Sequence, residues 1–545
     1  MKMKSNFLNL FLFFLLFCLI LGLFIYNLSL WPTPWFDEGP PLQVSKNLVQ
    51  IGKYGLDSSE GFRPFSQSVT VGPTVTLPVA LAFKVLGIGI WQARLISVFY
   101  GFLAIFLFYT VSYKVFSHKV AFLATLLLLV TPIFSNDTSA SFLALSRMVM
   151  GDVPALAFLL AGCFFWFLSL EKKSHVYSIL SGLAFGAAII TKALYVISPV
   201  SLLLVWVLNR LWYHKIEWKY TVIPFLLSIL IGLGWYGYNI YMSETGFMGY
   251  FEQSATLALI FSISQLIKNA RVLVGSMSII LGIPAFIYGA SFCIKKDIVS
   301  VKRVLLISII FLCLTWFILS SIGWLRYALP ALVLMDIFIS KFLIDLAIVY
   351  KTDSDIKKRI TRIRSQNVID ILKFISVVLF IVLIILSPLQ QFIKVISTWQ
   401  DPSLYQFTNY LNSNITDKEI IETSEREIVF LTDHNYHQIT HAVADQAIRY
   451  VQFNEPYPDN YYNICAYQPS FLVVGWFGRW TELYKSDLAA DCCENIFSIN
   501  QYELYKIKPD YCNLARSPNL RKKSFTGESF AGSRKTPKRS ISFST

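Results

Sequence analysis

Long apolar runs separated by short polar joints dominate the chain. Runs of spanning length fall, within a few residues, at 7–30, 92–113, 119–134, 152–170, 176–191, 193–209, 220–242, 272–294, 304–322, 326–348 and 368–393. Each approaches the roughly 20 residues needed to cross a hydrocarbon core, which predicts about eleven transmembrane helices. Between the first two runs lies a long amphipathic loop, 31–91. There Gln43 to Ile51 reads as a helix lying on the membrane and Gly52 to Gly61 as a turn region. Gly72-Pro73-Thr74 then opens a second interfacial helix that ends near Gly87. After about Ser397 the pattern changes. Leu404–Leu411 reads as a helix, Glu427–Leu431 and Phe471–Val474 as strands, Thr481–Ala490 as a helix, and Ile496–Ile499 and Tyr502–Ile507 as strands. That alternation predicts a small α/β domain.

Composition agrees with a polytopic membrane protein: 55% of residues are hydrophobic, 15% are charged, and Phe alone contributes 45. The net charge of +14 needs no nucleic acid partner, because basic residues gather in the cytoplasmic loops of membrane proteins. The basic loops alternate here. Lys114 with Lys119, Lys172 with Lys173, Arg210 with Lys215 and Lys219, Lys295 to Arg303, and Lys357 to Arg364 all fall on one side with Lys2 and Lys4. The first run is too long for a signal-peptide core and is expected to stay as a helix with its N-terminus inside. An odd number of spans then leaves the C-terminus outside. The expected organisation is a multi-pass transmembrane part at 1–397, with its first outer loop at 31–91, and an extracytoplasmic α/β domain at 398–512. The tail at 513–545, with Arg521-Lys522-Lys523, is basic and Ser-rich and reads as disordered.

Of the eight cysteines, Cys18, Cys163, Cys293 and Cys313 lie in apolar runs and read as packing residues. Cys465, Cys492, Cys493 and Cys512 could form one or two disulfides outside, with the pairing open. Sequons occur at Asn27, Asn136 and Asn414. His434, His437 and His441 recur at helix-like spacing beside Asp433 and read as a solvated face rather than a zinc site. No metal cluster is expected, and a requirement for a divalent metal is left open.

The candidate chemistry sits where polar residues meet the membrane. Trp31-Pro32-Thr33-Pro34-Trp35-Phe36-Asp37-Glu38-Gly39 follows the first run, with prolines to break the helix and aromatics suited to the headgroup level. Asp152, in the segment that begins at Ser146-Arg147, opens the fourth span at its outer end. Lys192 lies in an almost loop-free joint between the fifth and sixth spans, and Arg326 starts the tenth from outside. Capping for the carboxylates and snorkelling for the cations are the simpler readings. Cations held at membrane depth on the carboxylates' side predict an anionic ligand there, for which a lipid phosphate is the natural candidate.

These segments carry a resemblance. Trp35-Phe36-Asp37-Glu38-Gly39, Phe83-Lys84-Val85-Leu86-Gly87 with Ala93-Arg94-Leu95, and Arg147 with Asp152 and Pro154 occur in order. Gly182 to Gly186 before Thr191-Lys192, and Arg326-Tyr327 before Leu329-Pro330, complete the set. In this order they resemble the GT-C-fold glycosyltransferases that use lipid-phosphate sugars. The likeness is to the superfamily of aminoarabinose lipid A transferases and dolichyl-phosphate-mannose protein mannosyltransferases, and it spans roughly residues 7–350. The resemblance implies an inverting transfer of a hexosyl or pentosyl group from a polyprenyl-phosphate sugar to a lipid, glycan or protein acceptor at the outer face of the cell membrane. It implies Asp37 as catalytic carboxylate, Glu38 and Asp152 in support, and Lys192 and Arg326, with Arg63 and Arg147, on the donor phosphate. Where the aminoarabinose transferases carry a Lys-Pro-Pro-Leu-like segment, this chain has Val71-Gly72-Pro73-Thr74, and nothing resembles the β-trefoil domain of the eukaryotic mannosyltransferases. Donor sugar and acceptor stay open. A transporter or lipid flippase is the alternative, though no inverted repeat is visible.

Overall fold

The computed structural model describes residues 18, 20–66, 69–132, 140–242, 262–352, 401–457, 462–490 and 492–515. The expected span at 368–393, the start of the first span, the sequon at Asn136 and the tail beyond Ala515 lie outside these residues.

Helix α1 (Gly39–Gln50) is followed by a small antiparallel hairpin of β1 (Gly55–Leu56) and β2 (Arg63–Pro64), then by α2 (Pro73–Leu86). The membrane part continues with α3 (Ile90–Val115), α4 (His118–Leu128), α5 (Asp152–Lys172), α6 (His175–Thr191), α7 (Ile197–Leu208) and α8 (Lys219–Met242). It closes with α9 (Ile263–Val274), α10 (Met277–Ser291), α11 (Ile298–Ser320) and α12 (Leu329–Thr352). Several of the expected runs, among them 92–113, 152–170 and 220–242, are long helices within a few residues of the expected bounds, but the count of eleven spans is not confirmed. Among the described residues six helices are long and apolar enough to cross a membrane, or seven if α9 and α10 form one span. The run at 272–294 was read as one straight span. The chain instead turns by 89° between α9 and α10, where Gly275 and Ser276 interrupt the helix. The run at 119–134 holds only an 11-residue helix, because apolar length is blind to the break before Pro132.

Caps mark several of these ends. The Ser117 side chain accepts from the Val120 amide, and Asp297 accepts from the Ser300 amide at 2.6 Å. Contacts between helices bring the basic loops to one end of the bundle. Glu171 at the end of α5 pairs with Lys114 of α3 at 2.6 Å and with Lys302 of α11 at 2.5 Å. Arg303 donates to the Val115 carbonyl at 3.0 and 3.2 Å. Asp37, Asp152, Lys192 and Arg326 are at the other end. Apolar side chains fill the space between, among them Phe108, Trp166, Phe185 and Phe338, all buried.

The C-terminal region carries a five-stranded sheet in the order β4-β3-β5-β7-β6. Its elements are α13 (Ser403–Asn414), β3 (Ile420–Thr423), α14 (Arg426–Leu431), β4 (Asn435–Gln438), α15 (His441–Phe453) and β5 (Phe471–Val474). After them come α16 (Trp476–Trp480), α17 (Lys485–Ala489), β6 (Cys493–Ile499) and β7 (Tyr502–Ile507). β3 runs parallel to β4 and β5, whereas β7 is antiparallel to β5 and β6. Glu427–Leu431, expected as a strand, is helical; a short apolar run does not distinguish a buried strand from a buried helical turn. The expected helix at Thr481–Ala490 shrinks to Lys485–Ala489, since Thr481 instead bonds back to the Phe477 carbonyl of α16. The three histidines share no helical face. His434 lies in a loop, His437 on β4, and His441 at the start of α15. His437 is buried, its Nδ1 against Glu422, whose other oxygen accepts from Tyr462 at 2.5 Å and Tyr484 at 2.9 Å. Disulfides join Cys465 to Cys512 and Cys492 to Cys493, while Cys18, Cys163, Cys293 and Cys313 are free.

Helix α1 was expected to lie on the membrane. It is covered instead, with Leu42, Gln43, Val44, Ser45 and Lys46 all buried, and the C-terminal region supplies part of the cover. Lys46 Nζ donates to the Phe430 and Thr432 carbonyls at 3.1 and 3.2 Å, and Gln438 donates to Gln43 at 3.1 Å. Amphipathicity shows that a helix has a wet face and a dry face, not whether lipid or protein meets the dry one. Helix α2 does keep an exposed apolar row of Leu77, Leu81 and Val85.

The C-terminal region also carries a pH signature. Burial pushes the Asp487 carboxyl up to about 6, against the bond it accepts from Tyr511 at 3.0 Å. A raised folded-state value means that folding favours the protonated form. Its contribution is full below the unfolded value of about 3.9 and is lost as pH rises through about 6. Asp487→Asn is expected to flatten the fall in apparent Tm between about pH 4 and pH 6 and to raise Tm above it. Differential scanning fluorimetry across that range checks this, and an unchanged slope would refute it.

Candidate active site

The site is a cavity of about 490 Å³ between the membrane helices and the C-terminal region. Its floor and walls come from the end of the bundle opposite the basic loops, where the chain bends so that polar groups face inward.

Asp37 lies in the turn just before α1. Its Oδ2 accepts from Arg326 Nη2 at 2.5 Å. Arg326 sits in a single 3₁₀ turn, Leu325–Ala328, that leads into α12. Its guanidinium lies 5.1 Å from the Trp35 ring centre, 4.6 Å from Trp324 and 5.3 Å from Tyr327, an aromatic box that holds a delocalised cation in a dry site. Asp152 is the first residue of α5 and pairs through Oδ1 with Lys192 Nζ. Lys192 is in an extended conformation between α6 and the 3₁₀ turn Ala193–Val196, so the backbone leaves it no loop to relax into. Its ammonium is also 4.7 Å from the Tyr327 ring centre. Two ion pairs therefore face one space, with Tyr327 touching both cations. Among the described residues Arg326 Nε and Asp152 Oδ2 are buried without a hydrogen-bond partner, which marks an incompletely satisfied polar site.

The N-terminus of α2 wedges the Lys192 joint. Gly72 N donates to the Thr191 carbonyl at 3.3 Å, and the Thr74 and Thr191 hydroxyls are 2.6 Å apart. A Cβ on Gly72 would overlap the Ile190 carbonyl oxygen, a backbone atom that cannot swing away. Gly72→Ala should therefore shift α2 against α6 and cost about 1–3 kcal/mol, as overpacking does. The check is a lower apparent Tm; a wild-type value would refute it.

The structure brings together Asp37, Asp152, Lys192 and Arg326, and it leaves three other candidates outside the cavity lining. Glu38 points away into the protein. Its carboxylate takes Arg94 Nε at 3.0 Å and Nη2 at 2.5 Å, and the Val149 amide at 2.8 Å, with both side chains fully buried. Arg94 also donates to the Leu28 and Pro32 carbonyls at 2.8 and 2.7 Å. Arg147 is spent on the backbone, donating to the Trp31 carbonyl at 3.1 Å, the Tyr26 carbonyl at 2.5 Å and the Leu23 carbonyl. Arg63 bridges Glu60 at 2.8 Å and the Gln438 carbonyl at 2.9 Å. Glu38, with Arg94, and Arg147 shape the loop that carries Asp37, whereas Arg63 ties the β1–β2 hairpin to β4.

Sequence reasoning missed the cavity residues of the C-terminal region: Arg426 of α14 and His441 and Asp445 of α15. A signal was present. Thr440 caps a helix whose residues 441, 444, 445 and 448 share one face at the helical repeat, and all four line the cavity. Among the described residues no group of three or more His, Cys, Asp or Glu side chains is placed to hold a metal ion.

A family model described as dolichyl-phosphate-mannose-protein mannosyltransferase matches residues 70–235, from just before α2 to within α8. No curated protein sequence matches the chain. The fold is similar to that of ArnT from Cupriavidus metallidurans bound to undecaprenyl phosphate. That likeness has 14% identity and a TM-score of 0.60, over 93% of this chain and 99% of the other. It is also similar to the archaeal oligosaccharyltransferase AglB from Archaeoglobus fulgidus in complex with an inhibitory peptide and a dolichol-phosphate. There the values are 12% identity and a TM-score of 0.53, over 87% of this chain and 70% of the other. The chain is a multi-pass membrane protein with a GT-C-like fold.

Proposed function

We propose that the protein transfers a sugar from a polyprenyl-phosphate donor to a hydroxyl-bearing acceptor, at the membrane face that carries Asp37. The observation that carries this reading is the convergence of Asp37 with Lys192 and Arg326 in one cavity between apolar helices. Ile189 and Ile190 of α6 and Ile229, Leu233 and Trp235 of α8 line its side, and Leu233 is also exposed on the bundle surface, a route for a lipid chain from the bilayer. The basic loops at the far end of the bundle favour a cytoplasmic position there and an extracytoplasmic one for the site.

In this mechanism the donor phosphate displaces the carboxylates from Arg326 and Lys192. Asp37 is then free to accept the proton of the acceptor hydroxyl. The acceptor oxygen attacks the sugar C1 from the side opposite the phosphate, so the C1–O bond to phosphate breaks with inversion. Arg326 and Lys192 hold the charge that develops on the departing polyprenyl phosphate. Before the donor arrives, Asp152 keeps Lys192 extended toward the cavity. A family match over 70–235 and relatives described with undecaprenyl phosphate or dolichol-phosphate support the choice of donor. A flippase reading has the bent pair α9–α10 in its favour, but Gly275 and Ser276 at the bend carry no ionisable group.

The test is transfer in proteoliposomes from undecaprenyl-phosphate-linked sugars. Lys192→Ala is expected to lower kcat/KM by about 10²–10³-fold, the scale of losing one charge-stabilising group. Lys192→Arg should lose less than alanine. Equal losses would remove phosphate binding as the role of Lys192, and wild-type protein without transfer from any donor would overturn the function.

A further inference from the structure

The cavity has a roof that neither the phosphate nor the proton transfer uses. It is built by α14 and α15, and its polar members are Arg426, His441 and Asp445. Their placement is rigid. Glu425, the residue before Arg426, accepts from the Gly475, Phe477 and Gly478 amides at 3.1, 3.2 and 2.9 Å, which fastens the start of α14 to the start of α16. The Arg426 guanidinium lies 4.4 Å from the Phe36 ring centre, and Phe36 stacks on Phe477 with centroids 4.1 Å apart. Gly39 allows the approach, because a Cβ there would overlap the Arg426 backbone. The guanidinium is thus locked over the residue that precedes Asp37. One turn separates His441 from Asp445 on α15, with Nε2 and Oδ2 3.5 Å apart.

Burial lowers His441 below its ordinary value and Arg426 to about 10, so at neutral pH the imidazole is neutral and the guanidinium charged. The roof then offers a fork of donors, an imidazole that can donate and accept, and a carboxylate acceptor. Such planar polar groups match vicinal hydroxyls, and an aromatic ring lining the cavity, such as Tyr54, matches the C–H face of a sugar ring. An apolar helix face would have closed the cavity at lower desolvation cost, so buried Arg426 and Asp445 beside the half-buried His441 point to a polar ligand. A donor whose phosphate sits at Lys192 and Arg326 has its C1 beside Asp37, and the rest of its ring reaches toward Arg426.

We infer that Arg426, His441 and Asp445 form a saccharide subsite that reads the hydroxyl groups of the transferred monosaccharide and sets donor specificity. The inference rests on the proposed transferase reading. It makes the C-terminal region the selector of the sugar, while the membrane helices recognise the lipid phosphate that all donors share.

Equilibrium binding of undecaprenyl phosphate and of its mannose, glucose, galactose and aminoarabinose conjugates to the full-length protein tests it without turnover. The wild type is expected to bind at least one conjugate about tenfold or more tightly than bare undecaprenyl phosphate. His441→Gln and Asp445→Asn should erase that preference, or change its order among sugars, while bare undecaprenyl phosphate binds as in the wild type. That control also shows the variants to be folded. Arg426→Lys, which keeps the charge but not the fork, should behave likewise. Where turnover is followed, the ratio of kcat/KM between two donors should shift by a similar factor. Conjugates and bare lipid phosphate binding alike to the wild type would overturn the subsite and leave the transferase reading standing. Unchanged preferences in all three variants would also overturn it, as would a change confined to the acceptor KM. Absence of binding to any of these lipids would instead fell the transferase reading, and the subsite with it.

Discussion

Asp37→Asn should reduce sugar transfer by about 10³-fold or more while leaving the lipid phosphate bound at least as well. General bases contribute typically 10²–10⁴-fold, and an amide at this position cannot take the acceptor proton. The second half of the prediction follows from the ion pair. Asp37 occupies Arg326 at 2.5 Å in the unliganded site, so it competes with an incoming phosphate. Neutralising it leaves the guanidinium in its aromatic box with a stronger need for an anion. Undecaprenyl phosphate affinity should therefore hold or rise. Loss of both transfer and binding would recast Asp37 as a group that only positions Arg326, and transfer at the wild-type rate would remove it from the chemistry.

The largest effect on stability is expected one residue along. Arg94→Met or Glu38→Ala would each leave one charge without its partner in a site where both side chains have no solvent exposure. Breaking a buried pair in this way costs about 3–5 kcal/mol, because the surviving ion is neither solvated nor paired. Here Glu38 also holds the Val149 amide, and Arg94 holds the Leu28 and Pro32 carbonyls. The pair therefore ties the loop that carries Asp37 to α3 and to the segment before α5. Apparent Tm in detergent should fall sharply in either single variant. The combined Glu38→Gln and Arg94→Met variant should lose less than the sum, since it removes both charges together. Singles with wild-type Tm would show that the pair does not hold the loop.

Adjacent carboxylates with unlike fates show how far the chain could be read without its fold. Asp37 and Glu38 are equivalent in sequence, yet consecutive residues entering a helix point about 100° apart. One direction meets the cavity and the other meets Arg94, a choice made by residues far along the chain. Arg147 was equally ambiguous. An arginine in an apolar stretch can serve a ligand or satisfy backbone carbonyls, and only the packed loop shows that three carbonyls converge on it. Lys192 was easier, because a cation between two apolar helices with almost no intervening loop has little freedom whatever surrounds it. The C-terminal region was the hardest to read. Its short elements, such as α14 over Arg426–Leu431, are too brief for periodicity to separate helix from strand.

The sequence by itself determined that the chain is a multi-pass membrane protein and where several of its long helices lie, since the length of an apolar run is a local property and the bilayer sets its scale. It also determined that Asp37, Asp152, Lys192 and Arg326 stand at helix ends rather than within the spans, because each borders such a run. Only the tertiary structure decided which polar groups share a space. Direct contact joins Asp37 to Arg326 across 289 positions of chain, and the roof brings Arg426 over Phe36, with His441 and Asp445 in the same cavity, from farther still. Packing between distant segments is governed by shape and by satisfied polar groups, neither of which leaves a periodic trace in the chain. The glycines at 39 and 72 record it most directly. Each is a position where two backbones touch and no side chain would fit.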